Sequence, residues 1–386
     1  MDIKKQELDT RLNLMRQKMF QNSLDALIIF SDEYRSGNST YFTNYKPINV
    51  IEESPQLITL VKDEDPVVFI GRLNAYAAQD KIPIADVRSI SEIESQIGSV
   101  FSSISNDKSR IGIIGDNLLP IKIFDSIKNV LSDVEYVECG HLLSDIRSIK
   151  SDSEIKLLSK AASINDYVLS QIVEKCEVGM TEIQIAAEAE YIGRKMGSDL
   201  GSATVIMSGP NTNYPAWRPS NRKIEEGDFV MIDFNPSYEN YCNDSGFTIL
   251  MPGASDLKRK SVLSCHRIIK EIMPQIKPFT SSLTIYDSIL EKLEPLGFAD
   301  NFTPYVSGRR GVGHGVGLDV VEEPDLSSTN DFEIKPNMTL AVKLDLHNIE
   351  GQGSRIEVVT HITDSGNNPL NKFILEAPDD ISILWF

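Results

Sequence analysis

Apolar residues at Leu8, Leu12, Met15 and Met19 recur at helical spacing with charged residues between them, which predicts an amphipathic helix near the start of the chain. Short apolar runs follow at 26–30, 57–61, 67–70 and 111–114, each of strand length and bounded by Asp, Gly, Asn or Pro. After the last of these runs, 121–131 reads as a helix. Roughly the first 140 residues therefore alternate strand and helix, an α/β pattern. The texture changes at Ser151. Ser151 and Glu154 have the spacing of a capping box opening a helix to about residue 175, and after Gly179 the pair Thr181 and Gln184 repeats it. The stretch 141–150 is the expected boundary, which divides the chain into domains 1–148 and 149–386.

From about residue 203 onward the pattern is mostly β. The runs 229–234 and 247–251 read as hairpin partners, joined by NPSYENYCND taken as a turn-rich loop. Helices are expected at 258–273 and 285–293, and strands at 340–346 and 354–362.

Composition narrows the function. The hydrophobic fraction of 41% is enough for one or two sizeable cores. A net charge of −18, with no Lys/Arg stripe, argues against nucleic acid as a partner. Cys139, Cys176, Cys242 and Cys265 lie far apart without a CxxC pair, which argues against a zinc knuckle and suits a reducing cytoplasm. The polar start MDIKKQELDTRL lacks a signal-like apolar region, and no apolar run is long enough to span a bilayer. The expectation is a soluble cytoplasmic protein with no membrane partner.

Three stretches hold the candidate chemistry. In GDFVMIDFNPSYENYCNDSG, Asp233 ends one apolar strand and Asp244 begins the next. Across a hairpin the two carboxylates either converge on a cation or cap turns, and spacing alone leaves both open. In GVGHGVGLDVVEEP, glycines at 311, 313, 315 and 317 surround His314, consistent with close backbone approach to a ligand or with a plain mobile loop. In SRIEVVTHIT, Glu357 sits on an apolar strand and needs a partner, either Arg355 in an ion pair or a metal.

Taken in order, Asp233 and Asp244 eleven positions apart, then GHG, then RIE, the chain resembles the pita-bread hydrolases: methionine aminopeptidase, proline-specific aminopeptidase and dipeptidase, and creatinase. DIRSIKSDSEIKLLSKAASI is similar to that family's entry into its catalytic domain, and IKPNMTLAV to the approach to its last ligand strands. The resemblance spans nearly the whole chain. It implies two domains, an α/β creatinase-type N-terminal domain and an α+β pita-bread catalytic domain. It also implies a homodimer, with the N-terminal domain of one subunit roofing the other's pocket. In the metallopeptidase members two divalent ions are held by two Asp, one His and two Glu, a donor set that suits Mn, Co or Zn. Asp233, Asp244, His314 and Glu357 match four of these five ligands.

The sequence departs from that pattern at three places. Lys343 stands where the other glutamate belongs, the family's second histidine falls on Val321, and a third, upstream, falls on Ala216 or Trp217. Three carboxylates and one ammonium leave two negative charges, which one divalent ion neutralises and two would overload. At about 4 Å and an effective dielectric of ~20, an ammonium and a divalent cation repel by roughly 8 kcal/mol, comparable to the whole affinity of a micromolar site. The two-metal site is therefore expected not to form, with the Lys343 ammonium standing where the metal on the His314 side would be. A single ion on Asp233, Asp244 and Glu357, or none, remains. His314 is expected as general acid/base and Lys343 as a stabiliser of negative charge, both catalytic. Trp217, Arg218 and Arg355 are expected to bind substrate, and His347 and His361 are candidates to replace the missing histidines. The activity expected is hydrolysis of a C–N bond in a small substrate, an Xaa-Pro-type dipeptide or a creatine-like amide or amidine. The alternative is a catalytically inactive pita-bread binding protein.

Overall fold

The structure, a computed structural model, describes residues 3–49, 53–104, 109–302, 311–378 and 380. The chain divides into two compact units that meet in sequence between Arg147 and Ser148. The stretch read as the boundary is itself helical over Gly140–Ser148, and Leu143 and Arg147, four residues apart, both bury on one face of it.

The first unit is built on a six-stranded mixed sheet in the order β4-β3-β2-β1-β5-β6. Its strands are β1 (Ala26–Ser31), β2 (Gln56–Val61), β3 (Val67–Ile70), β4 (Asp86–Ser89), β5 (Arg110–Ile114) and β6 (Glu135–Glu138). Every residue of β1 is buried, as befits a central strand covered on both faces. Ile93, Ile97 and Ile127, on the helices Ile93–Val100 and Ile121–Val130, join Ile28, Phe30 and Phe69 in one core.

The second unit opens with the two capped helices Asp152–Lys175 and Glu182–Lys195, and both boxes close in both directions. Its small sheet, in the order β11-β10-β7, holds β7 (Asp199–Leu200), β10 (Pro236–Tyr238) and β11 (Tyr241–Cys242). The stretch expected to be a plain loop thus forms a tight hairpin, turned by Glu239 and Asn240 with φ of 47° and 72°. The large sheet runs β14-β13-β15-β16-β12-β9-β8, with β17 also on β16. These strands are β8 (Val205–Ser208), β9 (Phe229–Phe234), β12 (Ser245–Leu250), β13 (Gly311–Gly315), β14 (Glu322–Ser327), β15 (Thr339–Ile349), β16 (Gln352–Ile362) and β17 (Asn367–Pro369). All their pairings are antiparallel.

Strand alternation decides what faces the helices and what does not. Leu340, Val342, Leu344 and Leu346 of β15, and Ile356, Val358 and Ile362 of β16, join the helical core with Ile268 and Ile269 of the helix Asp256–Ile272. The intervening Lys343, Asp345, Arg355 and Glu357 therefore project from the opposite face. A slip of one residue in either strand would exchange the two sets, so burial of the aliphatic face specifies the register that presents the polar one.

Candidate active site

Register places the polar side chains in one row. Lys343 lies opposite Glu357, Glu357 opposite Gly246, and Gly246 opposite Asp233, so the row crosses β15, β16, β12 and β9 at neighbouring-strand spacing. Asp345 and Arg355 form the adjacent pair. Gly246 admits no side chain, since a Cβ there would lie 2.1 Å from the Ile232 carbonyl oxygen. A fifth strand, β13, is held against β15 by pairing of His314 with Ala341, two residues from Lys343 on the same face. His314 thus sits on a strand rather than a mobile loop. Gly313, with φ +146° and an added Cβ only 1.8 Å from the Ala341 oxygen, is what lets β13 approach so closely.

His314, Asp244 and Glu357 converge. The histidine Nε2 lies 3.2 Å from Asp244 Oδ2 and 3.6 Å from Glu357 Oε1. Its Nδ1 lies 3.0 Å from the Gly315 carbonyl oxygen, which can only accept, so Nδ1 carries a proton and Nε2 is the atom presented to the carboxylates. Lys343 Nζ stands 3.9 Å from the same Glu357 Oε1. That oxygen is buried and accepts no hydrogen bond, though a histidine and an ammonium both face it.

Asp233 is oriented differently. Arg355 Nη1 donates to Asp233 Oδ2 at 2.8 Å, while Arg355 Nε donates to Asp345 Oδ1 at 2.8 Å and Nη2 to the Pro215 carbonyl at 2.9 Å. The guanidinium fork therefore joins two buried carboxylates and a loop carbonyl, a geometry a lysine cannot reproduce. The sequence reading offered Arg355 as the partner of Glu357 and as a substrate contact; the structure directs these donors to Asp233, Asp345 and Pro215 instead. Asp345 was missed altogether. Asp345 could have been found, because a carboxylate two residues past Lys343 in an apolar strand is the same signal that singled out Glu357.

The electrostatics follow from burial and proximity. Burial, then the Asp244 charge, pushes the Glu357 carboxyl up to about 8, with Lys343 partly offsetting them. Burial and Asp244 likewise raise Asp233 to about 6 against the pull of Arg355 and Lys343. Burial alone would raise Asp244 and lower His314, but their mutual hydrogen bond and charge prevail. Asp244 is held below the usual carboxylate value and His314 above the usual histidine value.

The donor chemistry suits one divalent ion. Asp244, His314 and Glu357 each offer one ligand atom, and those atoms lie within 4.8 Å of one another. The expected set was Asp233, Asp244 and Glu357; Asp233 gives Oδ2 to Arg355, while its buried Oδ1 accepts no hydrogen bond. The Lys343 ammonium faces the Glu357 oxygen of this set, so a cation placed beside it would meet a like charge.

The remaining candidates lie apart from this cluster. Trp217 is 56% exposed and Arg218 is exposed, both on the segment 211–219 whose Pro215 carbonyl touches Arg355. Val321, at the position of the family's second histidine, is exposed. His347 faces the carbonyl of Asn213, and His361 faces Asn337 four residues along β16 from Glu357.

With this geometry in place, residues 156–364 match the profile of metallopeptidase family M24, and residues 11–149 match the creatinase/prolidase N-terminal domain. The chain belongs to metallopeptidase family M24. Curated relatives match nearly the whole chain. The uncharacterized peptidase YqhT of Bacillus subtilis is 27% identical over 97% of this chain and 100% of its own. The Xaa-Pro dipeptidase of Pyrococcus furiosus is 24% identical over 94% and 97%. Among solved structures, the prolidase from Pyrococcus horikoshii OT3 superposes with a TM-score of 0.81 at 23% identity, covering 94% of this chain and 98% of that one. The two-domain fold expected from the sequence is therefore the observed one, and membership of M24 places the chain among hydrolases.

Proposed function

We propose that this chain hydrolyses the C–N bond of a small peptide of the Xaa-Pro dipeptide type, with one divalent ion or none. The observation that carries the reading is the convergence of Asp244, His314 and Glu357 on one buried point beside an ammonium. Names of M24 relatives such as the P. furiosus Xaa-Pro dipeptidase support the substrate class, and none of them favours a binding protein without turnover.

Asp244, His314 and Glu357 would hold the ion, with Mn, Co or Zn the metals suited to two carboxylates and an imidazole. Such an ion supplies a polarised carbonyl and a water acidified toward neutrality. The chain's own groups do the rest. Lys343, on the strand beside Glu357, supplies a fixed positive charge for negative charge developing on the substrate carbonyl oxygen. His314 holds its Nε2 proton toward Asp244 when no ion is present, and can pass it to a departing amine nitrogen. Arg355 keeps Asp233 and Asp345 in fixed orientation, and through Pro215 O it ties the exposed Trp217 and Arg218 to the same strands. Those two side chains face the substrate, the guanidinium suiting a carboxylate and the indole an apolar or cationic group. Four buried cysteines suit a reducing compartment such as the cytoplasm, and no described helix is long and apolar enough to cross a membrane.

The test is hydrolysis of an Xaa-Pro dipeptide panel by purified protein, with and without added Mn, Co or Zn. Cleavage that Lys343→Ala and His314→Ala both abolish is expected. Turnover of a creatine-like amidine with no dipeptide cleavage would overturn the substrate assignment, and binding without turnover of either would overturn the activity.

A further inference from the structure

Glu182 is the first residue of the helix Glu182–Lys195, and its side chain is fully buried. A carboxylate near a helix N-terminus is electrostatically favoured, but a buried one is tolerated only when its oxygens are satisfied. Here five donors satisfy them, and they come from both ends of one segment. Oε1 accepts from Ser208 N at 2.6 Å, Ser208 Oγ at 2.8 Å and Asn211 Nδ2 at 3.0 Å. Oε2 accepts from Ser220 N at 2.9 Å and Ser220 Oγ at 2.6 Å. Arg222 reinforces the arrangement, with Nη1 donating to Ser208 Oγ and its backbone N–H to Ser220 Oγ.

One carboxylate therefore closes the stem of the segment 208–220. The crest of that segment carries the exposed Tyr214, Trp217 and Arg218. Its first half is fastened to β15 and β16, the strands that hold Lys343 and Glu357. Gly353 N donates to Thr212 Oγ1, Asn348 N to Asn213 Oδ1 and Arg355 Nη2 to the Pro215 carbonyl. Clasped at the stem and tied to the site strands, the crest has a defined height over Arg355. A loop without the clasp would pay ordering entropy on each encounter with substrate.

We propose that Glu182, which touches no reacting atom, is a positioning residue that holds the wall 211–219 in its substrate-binding arrangement. The inference rests on the reading of Trp217 and Arg218 as substrate contacts. Glu182→Gln keeps one acceptor oxygen but turns an amide N–H₂ toward the other end, so it releases Ser220 or Ser208 while leaving the fold's apolar core intact. Ser220→Ala removes a single hydroxyl and guards against a folding failure in the first variant.

The chain has two tryptophans, so Trp385→Phe makes Trp217 the sole indole reporter. In that background Glu182→Gln is expected to increase acrylamide quenching of Trp217, by less than about twofold because the ring is already 56% exposed. It is also expected to raise KM for an Xaa-Pro dipeptide by about tenfold to a hundredfold, the effect of one lost charge-assisted hydrogen bond, with kcat changed less than about threefold. Ser220→Ala should show the same pattern at about threefold to tenfold in KM, and Glu182→Asp should restore part of it. Unchanged quenching and KM in folded Glu182→Gln and Ser220→Ala would overturn the proposal, as would a loss confined to kcat. If the unmutated protein cleaves no Xaa-Pro dipeptide, the substrate reading fails by itself, and the Trp217 quenching still decides whether Glu182 sets the wall.

Discussion

Glu357 offers a direct test of the site's electrostatics through stability. Its carboxyl lies in the sheet at 1% exposure, beside Asp244, and is raised from an ordinary 4.5 to about 8. A carboxyl whose folded value exceeds its unfolded one binds more protons when folded. Its contribution is therefore fully present below about 4.5 and is lost as pH climbs through about 8. The whole shift corresponds to something on the order of 5 kcal/mol. The perturbation is Glu357→Gln, which keeps the shape and removes the titration. Urea unfolding in the presence of a chelator, at about pH 5 and about pH 8.5, should show the unmutated protein losing roughly 4 kcal/mol more than the variant across that interval. Asp233, raised to about 6, and His314 add losses of the same sign in both proteins, and because the Glu357 charge helps raise His314 the variant also loses part of that group's contribution. Equal losses in the two proteins, or a gain in stability of the unmutated one relative to the variant, would refute the claim that burial beside Asp244 dominates this carboxylate.

Other perturbations report on neighbouring parts of the site. Arg355→Met should destabilise the second unit by about 3–5 kcal/mol in chemical denaturation, because Asp233 and Asp345 would be left buried without their shared partner; Arg355→Lys should recover only part of that. Gly313→Ala should cost at least about 3 kcal/mol and abolish hydrolysis, since the added Cβ meets the Ala341 oxygen at 1.8 Å and pushes β13 and His314 off β15. His314→Ala should weaken binding of a single Mn by more than about 100-fold in calorimetric titration, beyond what the loss of an outer partner usually costs. In the unmutated protein that affinity should rise with pH up to about 8, because the ion displaces protons from His314 and Glu357.

Much of the fold could be read before any coordinates because its signals are local. The two capping boxes need only residues three apart, and the buried strands declare themselves as apolar runs between turn formers. What could not be read was set by pairing across long sequence distances. The row Lys343–Glu357–Gly246–Asp233 exists only once four strands are in register, so the sequence marked its carboxylates and lysine without showing which oxygen faces which cation. Arg355 illustrates the limit: two residues from Glu357 on the same face, it spends its donors on Asp233, Asp345 and Pro215, choices made by neighbouring strands and a loop. Glu182 escaped notice for the same reason. At a helix start it reads as an ordinary first-turn acid, and only the fold brings Ser208 and Ser220 to it. The hairpin at Pro236–Tyr238 and Tyr241–Cys242 was obscured by turn-forming residues in NPSYENYCND, where Tyr241 and Cys242 nonetheless bury fully.

The central claim is that Lys343 occupies a place a second ion would otherwise take. Counting tightly bound metal per chain by elemental analysis, after loading with Mn and desalting, tests it directly in the unmutated protein and in Lys343→Glu. The account predicts no more than one ion in the former and two in the latter. Two ions held tightly by the unmutated protein would contradict it.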